Sequence, residues 1–296
     1  MKKRRRSLSV VIPSFNVEEI IKKCIQSVSW AEEILVVDSF STDKTREIAE
    51  SLSARILTHK YEYSARQKNW AIPQASHEWV LLLDTDEVVT PELSEEIIYL
   101  LGNDEIENFD GFKIARKEYF LGKWMRWGGR YPLYNIRLFR KTCLYENRDV
   151  HAHIIIPKNR TQVLRNDILH FSNPSLEHFF KKSNRYSTYQ ANYMKKQIDV
   201  RKKVSLKKLF SHTTYLKSVI KDYWFFIPFA PAARFFYMYI FRFGFLDGRY
   251  GFMLAVFYGF QDYVSKTKYY QLRGKKAKIR SVVQKTINRL LHIGQA

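Results

Sequence analysis

The sequence predicts an α/β protein with a mostly parallel central sheet, followed by a helical C-terminal extension. Three observations predict it. Short β-branched runs alternate with helical periodicity from Leu8 to Asp84. Three of those runs finish in polar residues, at Ser14, Asp38 and Asp84. Beyond Ser175, apolar and aromatic residues recur at helical spacing. Alternation of this kind builds parallel βαβ units, which gather ligands at the carboxyl ends of their strands.

The elements follow in order. Leu8–Pro13 (LSVVIP) is the first strand, and Ile20, Ile21, Cys24, Ile25 and Val28 give Glu18–Trp30 a helical face. Glu33–Asp38 (EILVVD) is the second strand. The loop SFSTDKT after it offers a Ser or Thr to cap a helix through Ile48 and Ala49. Arg55–Thr58 is a third strand, Ala65–Pro73 a helix, Trp79–Leu83 a fourth strand and Glu92–Leu101 a helix. Strands are then expected at Gly111–Ile114, Tyr134–Phe139 and His153–Ile156, with aromatic, glycine-bearing loops between the first two. Such loops are where an acceptor pocket can be built. Leu176, Phe179, Phe180, Tyr186, Tyr189 and Tyr193 mark the helical region, and Arg201–Lys208 is its softest boundary. The expected domains are 1–175, with halves of about 7–105 and 106–175, and 176–296.

Charge narrows the partners. Fifty Lys and Arg face 29 acids among 296 residues, a formal charge of +21. This favours nucleotide phosphates, nucleic acid or an anionic membrane face without choosing among them. Cys24 and Cys143 are too few for a disulfide framework or a cysteine zinc site, which fits a reducing compartment. After MKKRRR the apolar run is too short for a signal peptide and is cut by Pro13, so a buried strand behind a basic tail is expected.

The chemistry concentrates in WVLLLDTDEVVTP, where an apolar strand stops in Asp84, Asp86 and Glu87. On an extended segment, alternation turns Asp84 and Asp86 to one side and Thr85 to the other. Two hard oxygen donors there suit Mg²⁺ or Mn²⁺ carrying a diphosphate. Such an ion neutralises charge on a departing nucleoside diphosphate. An isolated Asp-x-Asp is usually a solvated turn; its position among other polar strand ends gives it meaning. Asp38 is placed to accept hydrogen bonds from a ribose or base.

VVIPSFNVEE, ILVVDSFSTDKTREIA, SARQKNWAI and WVLLLDTDE, in that order, resemble the inverting family 2 glycosyltransferases of GT-A fold. The likeness resumes in YNIRLFRK, RDVHAH and ILHFSNPSLEHFFKKSNRYS, and is nearest the group containing lipopolysaccharide-core glucosyltransferases. The resemblance implies a Rossmann-like nucleotide-diphospho-sugar transferase fold and a nucleotide-sugar donor. It places Pro13, Asn16, Glu18 and Asp38 in the nucleoside pocket, Gln67 and Lys68 near the base and diphosphate, and Asp84 and Asp86 at the metal. Against this, Gln67 and Lys68 fit an exposed helix face and Asn16 a helix cap. His170 is a candidate third metal ligand or diphosphate contact, set against a packed histidine. Arg137 and Arg140 fit phosphate contacts or solvated strand positions.

Two departures stand out. The relatives carry Val-His-Glu where this chain has Val150-His151-Ala152, so the acceptor-side carboxylate is missing. Asp149 and His151 are then the expected catalytic bases, with Glu146 behind them. Phe40 stands where many relatives have glycine.

In the C-terminal third, YWFFIPFAPAARFFYMYIFRFGF and GFMLAVFYGFQDYV carry prolines, arginines and polar residues unsuited to a membrane span. Aromatic residues mixed with arginine suit an anionic membrane surface. A helical pair covering the core, or a homo-oligomer interface, competes with that reading. The expected function is metal-dependent, inverting transfer from a UDP-sugar to a cell-surface glycan or lipid-linked acceptor, such as lipopolysaccharide core. It is expected in the cytoplasm, peripheral on the inner face of the plasma membrane. Sugar-phosphate nucleotidyl transfer is the runner-up, but PSFNVEE lacks the Gly-rich phosphate loop it requires. A non-catalytic RNA or membrane binder comes last: no RNA-binding motif is present, so nucleic acid is not an expected partner.

Overall fold

The structure, a computed structural model, describes residues 5–147, 152–199 and 229–293, with backbone alone over 196–199 and 275–293. It forms two compact units: Met1–Arg126 with Arg130–Ser172, and Trp127–Gly129 with Asn173–Ala296.

The first unit opens with β1 (Leu8–Ser14), α1 (Ile21–Gln26), β2 (Glu33–Asp38), α2 (Thr45–Ser51), β3 (Arg55–Thr58), α3 (Ser64–Ala71) and β4 (Trp79–Leu82). It continues through β5 (Glu87–Val89), α4 (Pro91–Gly102), β6 (Gly111–Phe120), β7 (Lys123–Trp124), β8 (Tyr134–Arg140), β9 (Thr161–Val163) and β10 (Ile168–Asn173). The sheet runs β3-β2-β1-β4-β8-β6-β10-β5, with β7 and β9 paired to β6. Its first four strands are parallel. The α/β architecture of a GT-A protein is thus present: a parallel half to which β8 and then β6 add antiparallel.

The central strands read as near-continuous apolar runs because both their faces are covered. Val10, Ile12, Val36, Leu81 and Leu83 pack beneath Ile21 and Cys24 of α1 and Leu93 and Ile97 of α4. The alternate residues Val11, Leu35, Val37, Val80 and Leu82 pack against Ala71 and Ile72 on the other face. The parallel register sets Ser14 beside Asp38, and Asp38 beside Thr58, so the polar strand ends share one edge.

Three local expectations need correction. The hydroxyls of SFSTDKT do not cap α2; its N-cap is Lys44 without a side-chain cap bond, because Ser41 Oγ and Thr45 Oγ1 accept instead from the Asn16 and Val17 N–H groups of the neighbouring loop. His153–Ile156 forms no strand, only an isolated bridge between Tyr145 and Ile154. Backbone bonds from Glu146 to His153 and from Ile155 to Leu144 close that ribbon after a single pair. The third concerns the acid triplet. The strand ends at Leu82, and the Glu87 N–H donates to the Asp84 carbonyl at 3.0 Å, so these residues turn rather than alternate.

The second unit contains α5 (Leu176–Asp199), α6 (Ala230–Phe236), a π turn at Tyr237–Phe241, a 3₁₀ turn at Gly244–Asp247, and α7 (Gly248–Ile293). Ala191 and Met194 of α5 meet Tyr269 of α7 in a small core. Two glycines let α7 approach closely: a Cβ on Gly251 would lie 1.9 Å from the Gly244 carbonyl oxygen, and one on Gly259 2.8 Å from that of Pro231. The Arg201–Lys208 cluster and the start of the first aromatic run lie outside the described residues. Among the described residues no helix is long and apolar enough to cross a membrane.

Candidate active site

The loops after β1 and β2 are stitched together by exchanged side-chain-to-backbone bonds. Asn16 Oδ1 accepts from the Thr42 N–H at 2.8 Å, and Ser41 Oγ accepts from the Asn16 N–H at 2.9 Å. Glu18 Oε2 accepts from the Lys44 N–H at 2.8 Å, while Asp43 and Thr45 take the Glu18 and Val17 N–H groups. Asn16 therefore does not cap α1. Asp38 lies fully buried at the base of the pair, holding Ser14 Oγ at 3.2 Å and the Ser41 N–H at 2.8 Å. Pro13, one residue before Ser14, is paired with Val37. Phe15 and Phe40 project outward from the two loops, 57% and 61% exposed. Phe40 has φ +62°, a left-handed backbone that glycine adopts without strain.

Helix α3 carries three consecutive polar residues, each directed to a different place. Gln67 is buried; its Nε2 donates to Ser39 Oγ at 3.1 Å and its Oε1 lies 2.7 Å from His59 Nδ1. Lys68 is also buried and donates to Asp84 Oδ1 at 2.9 Å. Neither occupies an exposed helix face. Asn69, which the sequence did not single out, exchanges two bonds with the Tyr145 backbone, at 3.0 and 2.8 Å. The α3 helix thus ties the β2 loop, the acid turn and the 143–147 segment together.

At the acid turn the charges are matched. Arg137 Nη2 of β8 donates to Asp84 Oδ2 at 2.7 Å and also to Glu87 Oε1. Arg116 adds a second cation 3.6 Å from Glu87, which is wholly buried. Burial opposes charge on Asp84, but Arg137 and then Lys68 outweigh it and hold the carboxyl well below its usual range. Burial likewise opposes the Lys68 charge, and Asp84 overcomes it, so the ammonium stays protonated. The Cys24 thiol beneath is pushed up by burial and by Glu87, Asp86 and Asp84, which leaves it unreactive.

Asp86 faces elsewhere. Its Oδ2 lies 3.3 Å from His170 Nε2, and its carbonyl accepts the Phe171 N–H at 2.8 Å. Strand β10, absent from the expected elements, delivers His170 by pairing it with Glu87. The histidine is buried, and its Nδ1 has no hydrogen-bond partner. Asp84 and Asp86 therefore do not converge: one carboxylate is held by Lys68 and Arg137, the other meets an imidazole. Among the described residues no group of three His, Cys, Asp or Glu side chains converges on one point.

Sequence reasoning missed the inner side of β6. Arg116 and Glu118 alternate two residues apart along it; Glu118 is buried, pairs with Arg130, and accepts from Ser172 Oγ at 3.0 Å. The strand was expected to end at Ile114, which left both residues outside it. Arg140 does not join the site, since it pairs with Glu78 and Glu107 and covers the Trp79 ring at 4.8 Å. Asp149 and His151 lie outside the described residues.

Residues 9–160 match the family described as glycosyl transferase family 2. The chain is 31% identical over 193 residues to the lipopolysaccharide core biosynthesis glycosyltransferase LpsC of Rhizobium meliloti (strain 1021), covering 62% of this chain and 70% of that protein. It is 30% identical over 203 residues to an uncharacterized glycosyltransferase of Rickettsia bellii (strain RML369-C), covering 65% and 69%. A shorter likeness, 30% over 129 residues, links it to the UDP-Glc:alpha-D-GlcNAc-diphosphoundecaprenol beta-1,3-glucosyltransferase WfgD of Escherichia coli, covering 40% and 50%.

Proposed function

The chain belongs to glycosyl transferase family 2, and from that premise we propose that it transfers a hexosyl group from a UDP-sugar to a lipid-linked or lipopolysaccharide-core acceptor, with inversion. Membership of that family sets aside nucleotidyl transfer and non-catalytic binding. The names of LpsC and WfgD support a cell-envelope acceptor and a UDP-sugar donor. They also favour a peripheral location on the inner face of the plasma membrane.

The observation that carries the mechanism is the Asp86–His170 pair, 3.3 Å apart where β4 runs out. Asp86 and His170 would hold the ion, and one carboxylate oxygen with one imidazole nitrogen suits Mn²⁺ better than Mg²⁺. Ligation through Nε2 would place the ring proton on Nδ1, which has no hydrogen-bond partner in the protein. When bound, the ion supplies charge neutralisation for the leaving diphosphate. Asp84 has a different part in this reading: clamped between Lys68 and Arg137, it fixes the two cations nearest the strand end.

The stitched loops would line the nucleoside pocket at Pro13, Asn16 and Glu18, with buried Asp38 bracing Ser14 and Ser41 beneath them and Gln67 fixing Ser39 alongside. In the chemical step an acceptor hydroxyl oxygen attacks the anomeric carbon from the face opposite the diphosphate. The new C–O bond forms as the bond to the diphosphate breaks, and the electron pair leaves on the diphosphate. The hydroxyl proton passes to a base, assigned to Asp149 or His151.

The test is titration of a panel of nucleotide sugars by calorimetry, with and without Mn²⁺, on the native chain and Asp86→Asn. The expected result is one UDP-sugar bound with Mn²⁺ enhancement that Asp86→Asn removes. Binding of no nucleotide sugar, or enhancement intact in Asp86→Asn, would overturn the reading.

A further inference from the structure

We propose that the outward face of α6 and α7 is a docking surface for an anionic lipid bilayer. Helix α7 is apolar on two sides. Its inward side buries Gly251, Leu254, Ala255, Gly259 and Tyr269. Its outward side exposes Phe252, Val256, Phe260, Tyr263, Thr267 and Tyr270. Successive spacings of four and three residues place these six on one stripe of the helix. A solvent-facing stripe ordinarily carries charge, and this one has none over five turns.

The stripe continues into α6 and the π turn through packed rings. Phe252 lies 5.7 Å from Phe235 and 5.5 Å from Tyr239, and those two rings are 5.4 Å apart. Phe243 joins this bed through Phe245, and Phe229, Phe241 and Phe243 are 81%, 71% and 52% exposed. Phe229 and Phe243 both have left-handed backbones, at φ +62° and +58°, which are rare for bulky residues.

Charge selects the occupant. From Phe229 to the end of the chain the only acids are Asp247 and Asp262. Both are buried, and Asp262 is paired with Arg234 at 3.0 Å. Among the described residues the region therefore presents no exposed side-chain carboxylate, whereas the sequence supplies Arg242, Arg249, Arg273 and the following KKAKIR run as cations. A second copy would bring like charge against like. An anionic bilayer accepts the rings at its headgroup boundary and the cations at its phosphates. The inference deepens the reading of a membrane-borne acceptor. Its test uses neither donor nor acceptor, so its failure leaves the sugar chemistry standing.

The experiment is co-sedimentation of the full chain, at low salt, with phosphatidylcholine vesicles and with vesicles containing about a third phosphatidylglycerol. Binding to the anionic vesicles is expected to be at least about tenfold tighter, and to fall steeply as salt rises. The double variant Phe241→Ser/Phe260→Ser should weaken that binding about tenfold or more while keeping the native melting temperature. Should that variant melt early, Tyr270→Ser alone should weaken binding severalfold. Three results would overturn the proposal: no binding by the native chain, undiminished binding by a natively folded variant, or a dimer that the substitutions dissociate without any vesicle binding.

Discussion

Arg137 Nη2 stands 2.7 Å from Asp84 Oδ2 and also donates to Glu87, so one guanidinium nitrogen bridges two carboxylates of the same turn. Arg137 and Glu87 are both buried. Removing the cation would leave Glu87 with Arg116, at 3.6 Å, as its remaining cation, beside the Asp84 N–H at 3.0 Å. Arg137→Met is expected to lower unfolding free energy by about 3–5 kcal/mol in urea titration. A loss below about 1 kcal/mol would show the bridge to be dispensable.

Asp84 and Asp86 should respond differently to the same substitution. Asp86→Asn and His170→Ala are expected to raise the Mn²⁺ concentration needed for half-maximal UDP binding about 10–100-fold, with little change in melting. Asp84→Asn should lower the melting temperature as well, because it leaves Lys68 and Arg137 without a shared anion. Equal metal dependence in both carboxamide variants would refute this division.

Glu33 gives a pH signature. Burial raises its pKa, but bonds from Ser9 and Ser76 outweigh that and hold it at about 2. The folded pKa is lower than the unfolded value, so its contribution is present in full above the unfolded pKa of about 4.3. It is lost as pH falls toward 2. After screening, on the order of 1–2 kcal/mol should disappear over that window. Glu33→Gln should flatten this part of the stability profile, and a profile unchanged by the substitution would refute the assignment.

Most of the parallel half was legible because its strands are continuous apolar runs and its loops carry distinctive polar residues. The β2 and β3 strands begin and end where the sequence placed them. The site was less legible where long-range pairing decides. Nothing local marks ILHFSN as the strand that carries His170 to Asp86, because the partner that His170 pairs with, Glu87 of β5, lies far earlier in the chain. Arg137 resembled any arginine on a strand until its burial against Glu87 was seen. The acid triplet misled in a specific way: period-two alternation requires extended backbone, and the chain turns there instead.

In the second unit, Gly251→Ala would place a methyl carbon 1.9 Å from the Gly244 carbonyl oxygen. Backbone must shift to admit it, at a cost of about 1–3 kcal/mol or more. Gly274→Ala, with open space around it, is the control and should be neutral or slightly stabilising. Comparable melting of the two variants would contradict the close approach.

The reciprocal stitching of the β1 and β2 loops has a dynamic consequence. The amide hydrogens of Asn16, Val17, Glu18, Ser41, Thr42, Lys44 and Thr45 are held almost entirely by side chains of the opposite loop or, for Ser41 and Thr45, by Asp38 and Asp43 within their own. Neither loop can open without releasing the other. These protons should therefore trade with deuterated water at one shared opening free energy, as a single cooperative patch spanning two stretches of chain.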